Sequence, residues 1–140
     1  MGSWRDKSLN IGLLWLRMLM GLGISVFHGY GKIFNGRMEQ FTEGVAKLGF
    51  PTPEFFAWSA ALSEFLGGIL LVLGLGTRLA AFFVFITMSV AAFIRHAPDP
   101  FDVKETALLY WTISLAIVLL GPGLFSLDNL ITKYLRKKIS

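Results

Sequence analysis

Six ionisable side chains sit inside or beside long apolar stretches of this chain. Arg17, His28 and Lys32 share one run, Glu64 interrupts another, and His96 and Glu105 flank the polar segment RHAPDPFDVKE. In an apolar solvent such groups face inward and find partners, because a charge at mid-bilayer costs about 2.5–3.5 kcal/mol on insertion scales. Guanidinium and ammonium groups donate hydrogen bonds to a polar headgroup, while imidazole and carboxylate can exchange protons near neutral pH. The competing reading is an ion pair that fixes helix register. Cysteine is absent, which excludes disulfides, thiolate chemistry and Cys-ligated metal. No phosphate-binding loop, nucleophile elbow or HExxH pattern occurs, and no metal set is expected. Bis-histidine haem ligation by His28 and His96 is conceivable, but paired histidines on facing helices are more often hydrogen-bonded polar groups.

At 100° per residue His28 falls about 20° and Lys32 about 60° from Arg17 around a helix, with Gly21 between them. Glu64 shares its face with Ala60, Ala61, Gly68 and Leu71, small residues that let helices approach closely. Arg17 lies about 12 Å inward from one end of its run and Glu64 about 14 Å inward from the opposite end of its own. In a hydrocarbon core about 30 Å thick the two are nearly level, so an Arg17–Glu64 pair is expected. His28, Lys32, His96 and Glu105 are expected to converge at the opposite mouth; snorkelling to the interface is the plainer role for Lys32 and Arg95.

The elements that must position these groups are all helical. Of 140 residues, 54% are hydrophobic and only 16% charged, against about 25% charged in a typical soluble domain; mean hydropathy is +0.63. Apolar runs predict four spanning helices at about 9–34, 55–75, 77–95 and 103–121. The first is too long for a cleaved leader and carries Arg17, so it is expected to be retained. Phe41, Val45 and Leu48 form one face of a short interfacial helix in the first loop, stopped by Gly49, Pro51 and Pro53. A cationic amphipathic helix is expected at about 126–138, with Ser126 or Asp128 as its N-cap. Together these describe one membrane domain over 1–140, an all-α antiparallel bundle of four transmembrane helices. The tryptophans and tyrosines are expected mostly near segment ends, as an aromatic belt.

The lipid bilayer is thus the first partner, and no aromatic–basic interleaving points to nucleic acid. Arg5, Lys7, Arg78, Lys133, Arg136, Lys137 and Lys138 lie on the side of the termini, against Lys32, Arg37, Lys47, Arg95 and Lys104 on the other. That bias favours both termini in the cytoplasm, in a cell inner membrane.

Three segments resemble the DoxX family of small membrane proteins: HGYGKIF, EFLGGILLVLGLGTRLAA and GPGLFSLD. The ordered set Glu64, Gly67, Gly68, Leu71, Gly74, Leu75, Thr77, Arg78, Ala80 and Ala81 carries most of the likeness. Gly121, Pro122, Gly123 and Asp128 complete it, and Arg17 and Glu105 fall where that family places ionisable residues. The resemblance extends over about residues 11–129 and implies a four-helix bundle. It implies association with quinone-linked redox systems, since named relatives include a subunit of a thiosulfate:quinone oxidoreductase and a partner in a membrane redox complex; more distant relatives are cargo receptors or assembly chaperones. The bundle also resembles vitamin K epoxide reductase, whose paired cysteines are missing here.

Three functions therefore stand side by side. The first is a redox-associated subunit rather than an autonomous enzyme, holding a quinone or similar hydrophobic molecule against Arg17, His28 and Glu64. The second is a non-enzymatic scaffold or assembly factor, and the third a small-solute or proton pathway. Other membrane or redox subunits, or a second copy of the chain, are the open protein partners.

Overall fold

The computed structural model describes residues 3–139, so the outermost residues of the expected 1–140 domain lie outside the described residues. Its helices are α1 (Trp4–Phe34), α2 (Met38–Lys47), α3 (Pro53–Leu73), α4 (Thr77–Arg95), α5 (Phe101–Leu120) and α6 (Leu127–Ile139). The helices α1, α3, α4 and α5 are long and apolar enough to cross a membrane. They run alternately up and down, so α1 starts and α5 ends at one face of the bundle. That terminal face also carries the α3–α4 turn; the loop face carries α2 and residues 96–100.

Local chemistry sets the helix ends. α1 begins at Trp4 rather than near Leu9 because Ser3 and Asp6 form a reciprocal capping box. α3 begins with Pro53 in its first turn, where a missing N–H costs nothing. It ends where Gly74 enters the left-handed region at φ +68°; Gly76 follows at +55°. Ser126 Oγ accepts from the Asn129 amide at 3.2 Å, so Ser126 is the N-cap of α6 and Asp128 is free for another contact.

The core is Met20, Ile24, Leu71, Val84, Met88 and Ile117, with alanines filling between them. Around it the outward faces are apolar: Trp15, Leu19, Phe27, Leu79 and Leu119 are all more than 60% exposed. Lipid, not water, is the solvent for which such a surface is made. Tyr110 and Trp111 depart from the aromatic-belt expectation. Both lie halfway along α5, and Trp111 Nε1 donates to Ser89 Oγ of α4 at 2.9 Å. An indole N–H inside the bundle needs such an acceptor.

Glycines determine how α1 meets α3. A Cβ on Gly68 would lie 2.6 Å from the Gly21 carbonyl oxygen and 2.7 Å from Ser25 Cβ; one on Gly21 would lie 2.5 Å from the Gly68 oxygen. The backbones are in direct contact there, the small-residue crossing of membrane helices. Two stretches depart from α-helix: Ile24–Gly29 in α1 and Ala91–Arg95 in α4 are π-helical. No sequence period announces these wide turns. Each resets the face on which later residues lie, so the 100° projection fails beyond Gly23.

Gly68→Ala should cost about 1–3 kcal/mol in detergent unfolding, because the backbones cannot separate without losing the crossing. Gly12→Ala, whose Cβ would meet nothing within 4 Å, should be neutral or gain up to about 1 kcal/mol.

Candidate functional site

Side chains on a helix lean toward its N-terminus. α1 and α3 are antiparallel, so Lys32, near the far end of α1, leans back into the bundle. Glu64 of α3 leans toward the loop face. The two converge: Lys32 Nζ lies 2.8 Å and 2.6 Å from the carboxylate oxygens of Glu64. The Glu64 side chain is 4% exposed and that of Lys32 21%. Lys32 therefore does not snorkel outward; its ammonium is also 4.1 Å from the Phe41 ring centroid, a favourable cation–π distance.

The expected Arg17–Glu64 pair does not form, because the two are not level: Gly29 is the α1 residue packed on Phe65, and Arg17 lies beside Gly74 at the other end of α3, about three helical turns away. Arg17 leans toward the terminal face, away from Glu64. It is fully buried, with Nη1 3.5 Å from the Leu71 oxygen and Nη2 donating to the Phe125 oxygen. The Leu71 oxygen, which also accepts from the Gly74 amide at 3.2 Å, lies in the last turn of α3 at the negative end of the helix dipole and so suits a buried cation. A Cβ on Gly74 would strike the guanidinium and Ser126.

The other motif residues gather at this same face. Asp128 accepts from the Gly76 amide at 2.8 Å and the Thr77 amide at 2.9 Å, so it caps α4 from across the chain, while its own amide donates to the Gly74 oxygen at 2.9 Å. Burial alone would raise the Asp128 pKa. The amides of Thr77 and Gly76 and the charge of Arg17 outweigh that effect and hold it below the ordinary value. The Thr77 hydroxyl meets no partner in hydrogen-bonding geometry, so the amides do the holding. Arg78 Nη2 lies 3.4 Å from the Leu119 oxygen, and a Cβ on Gly121 would approach it within 3.1 Å. The Asn10 carboxamide oxygen accepts from the Leu124 amide at 2.7 Å; a Cβ on Gly123 would come within 3.2 Å of that oxygen. Pro122 completes this turn. Gly67 instead packs against Val84 in the middle of α3.

The loop half is different in kind. A cavity of about 690 Å³ opens there. His28, Lys32, Glu64 and His96 line it; Arg17 and Glu105 do not. Glu105 is exposed on α5. The carboxylate at this cavity is thus Glu64 where Glu105 was also expected. Both π-helical stretches border the cavity, one carrying His28 and the other leading into His96. The His28 ring meets Tyr110 edge-on, with centroids 5.4 Å apart. His96 Nδ1 is 2.6 Å from Asp99 Oδ2, a local contact that occupies one ring nitrogen.

Two contributors lay outside the sequence reading. Tyr110 lines the wall, and a Cβ on Gly23 would lie 2.6 Å from its hydroxyl, so that glycine makes the room. The α2 face Phe41, Val45 and Leu48 also lines the cavity, with Val45 only 8% exposed. That face packs down on the bundle instead of being left for lipid. Its amphipathic spacing was legible; its target was not.

The fold and site define a multi-pass α-helical membrane protein with an internal polar cluster. The DoxX family profile matches residues 12–97, and the chain belongs to that family. It is 32% identical over 129 residues to "Putative oxidoreductase CatD" of Bacillus subtilis, covering 91% of this chain and 92% of the relative. It is 30% identical over 132 residues to "Inner membrane protein YqjF" of Escherichia coli, covering 91% and 97%. An uncharacterised protein of Haemophilus influenzae is 32% identical over 124 residues, covering 84% and 88%. No solved structure matches the chain.

Because Glu64 is almost buried, Lys32→Ala should strand it, costing up to about 3–5 kcal/mol. The Lys32→Ala, Glu64→Ala double variant should then cost less than the sum of the singles, by about 0.5–3 kcal/mol in unfolding measurements. Arg17→Ala and Glu64→Ala share no partner and should add.

A second outcome concerns pH. The native pKa of Asp128 is depressed, so its stabilisation is complete above the ordinary carboxylate range, about pH 4, and is lost as pH falls through the native value. Between pH 7 and 3 the thermal midpoint should fall, and Asp128→Asn should start lower and fall less.

Proposed function

We propose that the protein is a membrane subunit of a quinone-linked redox system and holds a quinone, or a molecule of the same build, in the cavity of its loop half. The observation that carries this reading is one cavity with two kinds of wall. Phe50, Phe55, Phe56, Phe83 and Ile86 offer an apolar surface, while Lys32, Glu64 and His28 present polar atoms. Ligand sites are typically apolar clefts of about 300–1,000 Å³ with a few placed polar groups, and this volume falls inside that range. A quinone has the matching build: a ring and tail for the apolar wall, and carbonyl oxygens that accept from the Lys32 ammonium or the His28 ring. Glu64 and His28 are the groups able to exchange protons with it.

Access supports a lipid-soluble ligand. On the water side α2 roofs the cavity with Phe41, Val45 and Leu48, while Phe55, Phe83 and Ile86 line it and are 66%, 50% and 45% exposed. These residues belong to α3 and α4, and Val103 of α5, 48% exposed, also lines the cavity, so apolar lining side chains of three spanning helices reach the lipid-facing surface. The oxidoreductase name of the Bacillus relative and the inner-membrane name of the Escherichia relative agree with this placement. The Lys and Arg bias favours both termini in the cytoplasm, an orientation in which the cavity belongs to the opposite leaflet.

The test is thermal unfolding in detergent with ubiquinone and menaquinone analogues. A ligand of the folded state raises stability by about 2.7 kcal/mol at a concentration of 100 Kd. The midpoint should climb with concentration, and Glu64→Gln and His28→Ala should blunt the climb beyond their own effect on the unliganded protein. No rise with either quinone, together with a stoichiometric co-purifying protein, would replace this reading with that of a scaffold.

A further inference from the structure

Helix α6 leaves its apolar stripe uncovered. Leu127, Leu130, Ile131, Tyr134 and Leu135 recur at the i, i+3, i+4, i+7 and i+8 positions of one face. They are 37%, 59%, 46%, 69% and 51% exposed, and no residue of α6 is buried. Beside the stripe stand Lys133, Arg136, Lys137 and Lys138, and after Asp128 the helix carries no acid. Asp128 itself is occupied by the amides of Gly76 and Thr77. The charge offered outward is therefore wholly positive.

The attachment of α6 is as informative as its composition. Three hydrogen bonds join Asp128 to the α3–α4 turn, and Asn129 Nδ2 donates to the Leu124 oxygen at 2.8 Å. These contacts hold the first turn of α6 at the terminal face, where spanning helices α3 and α4 leave the apolar layer. The rest of the helix buries no residue against the bundle. Its start is held where α3 ends and α4 begins, the end of the apolar spans.

We propose that α6 is a binding site for anionic phospholipid, lying on the leaflet at the terminal face with its leucines and tyrosine in the acyl boundary and its four cations among headgroup phosphates. An apolar stripe flanked by basic residues is the composition that such a surface attracts. Each basic residue near an anionic leaflet contributes a factor of about five in the ratio of docked to free helix. The Asp128 contacts make docking intramolecular, so it needs no second copy of the chain. This site is separate from the cavity, and its ligand is a bilayer component instead of a redox molecule.

The test uses the full chain, whose lack of cysteine makes one introduced thiol unique. Ile131→Cys carries an environment-sensitive fluorophore, and the protein is placed in nanodiscs of phosphatidylcholine alone or mixed with phosphatidylglycerol. The anionic lipid should shift the emission to the blue and shield the label from a water-soluble quencher. High salt, or changing Lys133, Arg136, Lys137 and Lys138 to Gln, should reverse both effects while the thermal midpoint in detergent stays unchanged, which shows the bundle intact. A label equally open to quencher in both lipids would overturn the proposal. So would equal shielding in both lipids that the four glutamines leave untouched. Shielding in detergent that grows with protein concentration would also overturn it, making the stripe an interface between two copies.

Discussion

The register of α1 against α3, together with the lean of helical side chains toward their own N-termini, decides which charges meet in this protein. In an antiparallel pair, two residues that are level by counting are not level at their charged tips. They converge when each lies beyond the other along its own helix, and diverge otherwise. Lys32 and Glu64 satisfy the first condition and form the ion pair of the loop half. Arg17 and Glu64 satisfy the second, so each finds other company. Since an unpaired charge in hydrocarbon costs several kcal/mol, this direction rule divides the bundle into two polar clusters with different surroundings.

The terminal half is closed around backbone. Arg17 takes one carbonyl in the last turn of α3 and one in the α5–α6 connection, and Asp128 takes amides at the start of α4. The turn Gly74-Leu75-Gly76 presents both kinds of orphan group within three residues, and its left-handed glycines make that reversal tight. The family motif in this region therefore reads as packing chemistry: one buried cation and one carboxylate complement the two helix dipoles. The loop half is built the other way. There the helices are held by a side-chain ion pair, two π-helical stretches loosen the regular ladder, and a cavity remains.

Much of this architecture is visible in the residues themselves. Four apolar runs, the breakers Asn35-Gly36 and Gly121-Pro122-Gly123, and the amphipathic faces of α2 and α6 depend on local rules, and local rules survive folding. Gly21 and Gly68 were each readable as a point of close helix approach, but not as partners of one another. Nor was the pairing of charges readable. Counting depth from Leu9 and Phe55 made Arg17 and Glu64 level, but Gly29 is the α1 residue packed on Phe65 and Arg17 stands beside Gly74, so the count was out by about three helical turns. The π-helix at Ile24–Gly29 removed the stripe that joined His28 to Arg17 on paper, and nothing in ISVFHG marks it. Tyr110 was hidden by its type: an aromatic with a polar tip suits a membrane interface, and only the fold shows its hydroxyl against Gly23.

The placement of the π-helical stretches sharpens the contrast between the two halves. A π-turn gives up regular i→i+4 bonding and is seldom kept without a use. Both lie in the loop half, on the two helices that bring His28 and His96 to the cavity, and none interrupts α1 near Arg17 or α4 near Thr77. The same four helices are thus regular where buried charges meet backbone and irregular where polar side chains line open space. Stability concentrated at one end lets the other keep a costly arrangement: a nearly buried carboxylate, a cation beside an aromatic ring and an open cavity. The polar groups of the terminal half are bound to backbone, whereas those of the loop half pair with one another along the wall of the cavity.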